Sequence, residues 1–386
     1  MPQIYLPAEK LDKCQACGKG NDLQLCSRCG EVAYCSTECQ KTDWKNHKSS
    51  CKKTDRIDLS SFYPVLACIA ESPRLQVRVI HIALKHKVIN APNPTTPAEL
   101  LPDGTHARVV RLGEPVDSAN RKPDQSHWWP KGITPKVRGK LFRRILREGN
   151  VLPIVVGICV SLMLRMYSSL NEEGGTRTRL RYRSAGISDF DVVSGWARVT
   201  ADDRLVYILP DGSILHGQDP EEHYWIYFTT QKGETVYLDC NLFTFNMALG
   251  IMPQPYLAPQ PAQIFPPIVP VCFWDRTMRK GVKGPLSLLT EVAHFSFLRD
   301  ETLREALGPA VSDLYEIPMK TLDAIFNKME MIKGKPVTQN EKDYMINVLQ
   351  NGINFLGHAF DNGAWKKFPA QPSVAIEADP GELQDL

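Results

Sequence analysis

A chain of 386 residues, 43% of them hydrophobic and 23% charged, has room for two or three domains and the composition of a globular protein. Its longest apolar run, Val151 to Leu164, is interrupted by Pro153 and Gly157 and stopped by Arg165, too short to span a bilayer. A formal charge of +3 is small for a nucleic-acid module.

Residues 1–12 are a polar lead-in without the apolar stretch of a signal peptide. Directly after them come eight soft or borderline donors: Cys14, Cys17, Cys26, Cys29, Cys35, Cys39, His47 and Cys51. The spacing is C-x2-C-x8-C-x2-C-x5-C-x3-C-x7-H-x3-C. Structural zinc takes four such donors in a tetrahedron, so eight make two sites. Each C-x2-C pair is a knuckle whose two sulfurs point at one ion. Cys35/Cys39 and His47/Cys51 are spaced i,i+4, which puts each pair on one helical face. Ser36 or Thr37 is placed to cap that helix. Disulfides are the competing explanation, but they leave a histidine at a ligand position unexplained. The other cysteines, Cys68, Cys159, Cys240 and Cys272, are scattered in apolar contexts, as in a reducing compartment. An intracellular protein, nuclear and/or cytoplasmic, is expected.

Zinc ligation changes the charge balance. Seven thiolates subtract seven and two Zn2+ add four, which takes the whole chain to about zero. Residues 1–56, with ten Lys/Arg and seven Asp/Glu, also come to about zero. Nucleic-acid binding is therefore disfavoured, and a protein partner is expected.

The donor order, with Tyr34 just before Cys35, resembles the MYND-type zinc finger over residues 14–51. The resemblance implies cross-bracing: Cys14, Cys17, Cys35 and Cys39 on one zinc, Cys26, Cys29, His47 and Cys51 on the other. Spacing alone leaves crossed and sequential pairing open. So small a domain has too little core to fold without its metal. The phrases HIALKHKVINAPNP and HYWIYFTT…LDCNLFTFN resemble those of proteins with an N-terminal MYND finger and a body of no established activity.

Past the finger, residues 57–250 read as an α+β domain with an antiparallel sheet. Ser60 to Ala70 is apolar. Leu75 to Ile89 suits a strand or a partly buried helix, and His81 and His86 within it read as structural or surface residues. Trp128 and Trp129 belong to a loop anchored on the core. Thr134-Pro135 starts a helix that ends near Glu148, and Pro153 to Leu170 forms a second. Arg177, Arg179, Arg181 and Arg183 alternate along a strand. They read as a solvated face, with an anion site as the alternative. Strands follow at Val192–Thr200 and Arg204–Leu209, and a hairpin pairs Tyr224–Thr230 with Glu234–Cys240. Residues 252–272 are a proline-rich, polyproline-like connector. Residues 285–360 read as a helical C-terminal region, with helices at Leu286–Leu298, Met319–Ile332 and Thr338–Leu356, the last opened by a Thr338/Glu341 capping box. Residues 370–386 read as a disordered acidic tail.

Enzymatic readings are secondary. A lysine methyltransferase of the SET–MYND kind lacks its Asn-His-x-Cys motif here, since Asn46-His47 belongs to the finger. Cys159, His223 and Asp239 have the order of a transglutaminase-like or papain-like triad, intact or degenerate. Cys240 beside Asp239 has no evident base. MYND fingers as a family dock proline-containing P-x-L-x-P peptides, and this chain carries one at Pro255-Tyr256-Leu257-Ala258-Pro259. That segment is an expected occupant of the finger's own groove, in cis or between two chains.

Overall fold

The computed structural model describes residues 4, 6–7, 9–48, 51, 54–75, 81–90, 97–117, 127–168, 177–257, 265–275, 288–311, 313–314, 316–361 and 363–377. The fold is α+β. Two short strands, β1 (Gln24–Leu25) and β2 (Ala33–Tyr34), pair antiparallel. Helix α1 (Thr37–His47) follows, and its first turn is closed by Ser36, whose hydroxyl accepts from the Cys39 N–H at 3.2 Å. This small unit feeds directly into β3 (Thr54–Asp58) and α2 (Leu59–Glu71).

Next in the chain are β4 (His86–Val88), β5 (Glu99–Leu100), β6 (His106–Pro115), α3 (Pro135–Leu146) and α4 (Val151–Met166). Strands β7 (Arg177–Tyr182), β8 (Ala185–Ala197), β9 (Leu205–Ile208), β10 (Ile214–His216), β11 (His223–Thr230) and β12 (Thr235–Asp239) continue it. Then come β13 (Leu249–Ile251), β14 (Val269–Pro270), β15 (Cys272–Asp275) and β16 (Leu289–Ser296). Helices α5 (Glu301–Leu307), α6 (Met319–Lys333) and α7 (Gln339–Asp361) and strand β17 (Val374–Ile376) complete it.

The main sheet has the order β15-β12-β11-β8-β7-β3. Long β8 carries β11 along one side, β7 at its start and β16 along its later residues. All of these pairs are antiparallel except β3 with β7. A second sheet, β10-β9-β6-β4 with β5 also on β6, packs against α3 and the buried Trp128 and Trp129.

Helix α4 is the axis of the core. Every residue in it but Arg165 is buried, and it shares one apolar cluster with α2, α7 and the sheet side chains Tyr224, Ile226 and Phe228. A helix apolar all round belongs inside a protein. It crosses α7 closely: a Cβ on Gly157 would lie 2.7 Å from Val348 Cγ1 and 3.3 Å from Leu349 N. Among the described residues no single helix is long and apolar enough to cross a membrane.

Several sequence expectations hold locally. Thr134 Oγ1 accepts from the Val137 N–H at 3.2 Å, and Thr338 and Glu341 form the expected reciprocal cap. Others are corrected. Leu289–Ser296, within the stretch Leu286–Leu298 expected as a helix, is instead strand β16, with Thr290 and Phe295 paired along β8. Within the proline-rich stretch 252–272, β14 pairs with β13 at a sheet edge, where its proline loses no ladder bond, and residues 258–264 lie outside the described residues. Of the expected disordered tail, Val374–Ile376 forms β17 on β13, and residues 378–386 lie outside the described residues. The arginine row is split: Arg179 is buried, Arg181 and Arg183 stay partly exposed, and the Arg177 side chain lies outside those described. Arg179 is buried over Tyr167 at 4.8 Å, Arg181 meets Asp58 at 3.5 Å, and Arg183 meets Asp275 at 2.6 Å.

Candidate metal centre

Each knuckle in residues 14–51 turns back through a left-handed glycine. Gly18 has φ 75° and Gly30 φ 61°, and their N–H groups donate to the carbonyls of Cys14 and Cys26 at 2.8 and 2.7 Å. Glycine alone takes that backbone without cost. Helix α1 then brings Cys39 in its first turn and His47 in its last, and the Cys51 N–H donates to the His47 carbonyl at 2.7 Å.

The eight donors fall into two groups. Cys14, Cys17, Cys35 and Cys39 offer ligand atoms within 4.8 Å of one another, and so do Cys26, Cys29, His47 and Cys51. Tetrahedral zinc with bonds of about 2.3 Å spaces its sulfurs by about 3.8 Å. The observed Sγ–Sγ separations are 3.5 Å for Cys17–Cys35 and Cys35–Cys39 and 3.7 Å for Cys26–Cys51. Cys29 Sγ is 3.4 Å from His47 Nε2. All eleven cysteines are free of disulfides. Four thiols so close resist joint ionisation. Contacts with the thiols of Cys17 and Cys39 push Cys35 up to about 12, and burial pushes Cys29 up to about 12, while hydrogen bonds outweigh burial at Cys14 and Cys26 and hold each down to about 6. A dication removes that penalty. One donor set is all cysteine and the other is three cysteines with a histidine, and both fit Zn2+. The grouping is crossed rather than sequential.

The surroundings hold the ligands in place. His47 is flanked edge-on by Tyr34 and Trp44 at ring distances of 6.1 and 6.0 Å. The Tyr34 hydroxyl donates to Asp43 at 2.8 Å, which locks β2 to α1. The Glu31 N–H donates to Cys29 Sγ at 3.4 Å. Arg56 of β3 ties this unit to the main sheet: its Nε donates to the Cys29 carbonyl at 3.0 Å, and its Nη2 reaches the same oxygen.

The triad of the alternative enzymatic reading does not assemble. His223 Nε2 and Asp239 Oδ2 are 2.6 Å apart and fully buried. Strand alternation, however, puts His223 on the side of Trp225 and Tyr227, opposite the Tyr224, Ile226 and Phe228 face that packs with Cys159. Cys159 is sealed in the core, and burial raises its thiol well above the ordinary value. His223 and Asp239 are a buried cross-strand pair. Cys240 is also core; burial raises its thiol, and its carbonyl accepts from Arg74.

The proline motif is likewise engaged elsewhere. Gln254–Tyr256 is a 3-10 turn, Tyr256 is buried with Phe368 at a ring distance of 5.0 Å, and Leu257 packs on the main core. Docking Pro255–Pro259 on the finger in cis would pull Tyr256 out of that core; Ala258 and Pro259 lie outside the described residues.

Comparison with known proteins agrees with the donor geometry. Residues 14–51 match the MYND finger family, and this segment is a MYND finger, a protein-interaction domain. The chain is 44% identical over 59 residues to the histone-lysine N-methyltransferase ASHR1 of Arabidopsis thaliana, covering 15% of this chain and 12% of that protein. It is 45% identical over 42 residues to Egl nine homolog 1 of Homo sapiens (11% and 10%). It is 51% identical over 41 residues to ubiquitin carboxyl-terminal hydrolase 19 of Arabidopsis thaliana (10% and 6%). The chain thus spans about a tenth of the length of these curated relatives. No solved structure matches.

Proposed function

We propose that this chain is an intracellular, zinc-dependent adaptor. Cys14, Cys17, Cys35 and Cys39 ligate one ion and Cys26, Cys29, His47 and Cys51 the other. The finger so formed captures a proline-containing P-x-L-x-P segment of a partner protein. The observation that carries this reading is the convergence of eight donors into two tetrads at zinc spacing. Zinc supplies the cross-links that so small a core lacks. The near-zero charge of residues 1–56 with metal bound favours a peptide over nucleic acid. The finger accompanies a methyltransferase in one relative and a ubiquitin hydrolase in another, so neither chemistry belongs to the shared segment.

A polyproline-like peptide is preordered, and it loses little entropy on docking. The test is calorimetric titration of the zinc-loaded full chain with a P-x-L-x-P peptide and with the same peptide carrying alanine for leucine. Binding by the first, lost on alanine substitution and on chelation, is expected. Equal binding by both peptides would sink the peptide-capture reading, and zinc contents well below two ions per chain would sink the ligand assignment.

A further inference from the structure

Where the finger meets the main sheet there is a cavity of about 420 Å3. One wall is the second knuckle, from Leu25 to Gly30, and the other is the paired strands β3 and β7. It lies outside the metal site: Cys26 and Cys29 line it, but His47 and Cys51, which complete their tetrad, do not.

Strand pairing explains which side chains face it. In the parallel pair Arg56 stands beside Arg179, Ile57 beside Leu180 and Asp58 beside Arg181. Ile57 and Leu180 point into the main core, so Thr54, Arg56 and Arg181 point away from it, toward the knuckle. Arg28 of the knuckle completes the basic set, and Ser27, Thr54 and Ser184 add hydroxyls. Among the described residues no carboxylate lines the cavity.

The charge of these arginines is only partly answered. Arg56 directs its hydrogen bonds to the Cys29 carbonyl, a neutral acceptor, and Glu31 is 3.9 Å away. Arg181 meets Asp58 at 3.5 Å, but Asp58 also caps α2, where it accepts from the Ser60 N–H at 3.0 Å. The Arg181 side chain stays 41% exposed. Arg28 is exposed and pairs with no carboxylate among the described residues; the negative charge it acts on is the Cys51 thiolate of the metal site. Lys232 Nζ stands beside the cavity, donating to Ser184 Oγ at 2.9 Å. With zinc bound, three thiolates and one Zn2+ leave the neighbouring centre a single negative charge. Four cations thus face two carboxylates and that one charge, and the balance is positive. The excess is local, since residues 1–56 as a whole come to about zero, so there is no basic stripe for a long polyanion. A short anionic group fits: guanidinium forks match a carboxylate or phosphate, and hydroxyls on the wall donate to its remaining lone pairs.

We propose that this junction docks an acidic segment of a protein partner, with a glutamate, aspartate or phosphoserine side chain entering between Arg28 and Arg181. The site requires the folded finger, which carries Arg28, but does not depend on P-x-L-x-P capture.

The experiment is fluorescence anisotropy on the zinc-loaded full chain with three labelled dodecapeptides of glycine and serine. One carries three consecutive glutamates, one a phosphoserine in their place and one three glutamines. At least one anionic peptide is expected to bind about tenfold or more tightly than the glutamine peptide, and the tighter of the two distinguishes carboxylate from phosphate. Arg28→Gln and Arg181→Gln should each weaken that binding several-fold with two zinc ions retained. Arg28→Lys, which keeps the charge and loses the fork, should recover part of it. Lys335→Gln, a lysine outside this cavity, should stay within about twofold of the parent. Equal affinity of the three peptides overturns the proposal, and so does equal weakening by Lys335→Gln, which would mean unspecific attraction. Zinc loss in Arg28→Gln with peptide binding intact in Arg181→Gln also overturns it, in favour of arginines that only balance the metal centre. Stronger binding of a single-stranded oligonucleotide at the same arginines overturns it in favour of nucleic acid. Failure of P-x-L-x-P peptides to bind, with acidic-peptide binding intact, would strike the capture reading alone.

Discussion

The finger and the body hold together by different physics. The finger's buried cluster is mostly its own metal-binding cysteines with Tyr34, packed by Leu23, Val32 and Trp44. The body closes around α4, with apolar side chains on every side of that helix. One region is specified by side-chain chemistry at fixed spacing, the other by volume and strand parity. Taking away an ion and taking away space should therefore damage different halves of the molecule.

The largest effect is expected from metal loss. Cys26→Ala, or a chelator, should unfold residues 14–51, because binding free energy of about 10 kcal/mol or more is folding free energy in such domains. The body should keep its own thermal transition by near-ultraviolet circular dichroism. A body that melted together with the finger would erase the contrast. The complementary lesion is Gly157→Val, whose branches collide with Val348 and the backbone at Leu349. It should destabilise the body by about 1–3 kcal/mol or more and leave the zinc content at two ions per chain.

A third test uses protons. Folding raises Glu148 from an ordinary 4.5 to about 8, so the folded state keeps a proton that the unfolded chain releases. Stability contributed this way falls as pH rises from about 4.5 to 8. His81, lowered to about 4, loses its contribution as pH falls below about 6.5. Tyr207 and Arg144 also face the Glu148 carboxyl. Between pH 6.5 and 8 the slope of the body's own transition carries the Glu148 contribution, about 2 kcal/mol. Glu148→Gln should flatten it in denaturant titrations across that range, with finger metal content unchanged. The smallest effect concerns the junction. Arg56→Gln removes the guanidinium from the Cys29 carbonyl. It should cost about 1 kcal/mol and increase protease nicking between the finger and β3.

The finger was legible because its chemistry is local. Cys14 to Cys51 name their ion by residue type and spacing, and Gly18 and Gly30, each following the second cysteine of a knuckle, were a further signal left unread. Spacing did not separate crossed from sequential pairing, since that is decided by how α1 folds back on the knuckles. The α+β class, the Thr134-started helix and the β11–β12 hairpin also followed from local pattern. The triad failed because chain order carries no information about sheet face. His223 and Asp239 do meet, but the alternation of β11 turns them away from the side that α4 covers. Gly157, two residues before Cys159, is where two helices touch. Leu286–Leu298 misled for a related reason: its leucines and phenylalanines suit a helix period, and only the free side of β8 makes a strand of Leu289–Ser296.

The crossed grouping of the eight donors has a consequence for how the finger fills. Closing Cys14, Cys17, Cys35 and Cys39 on one ion fixes both ends of the segment that carries Cys26 and Cys29, and anchors the helix that carries His47. Most of the loop entropy of the second site is then already lost. Uptake of the two ions becomes cooperative, with the single-ion form scarce. The finger would respond to zinc as a threshold rather than a gradient.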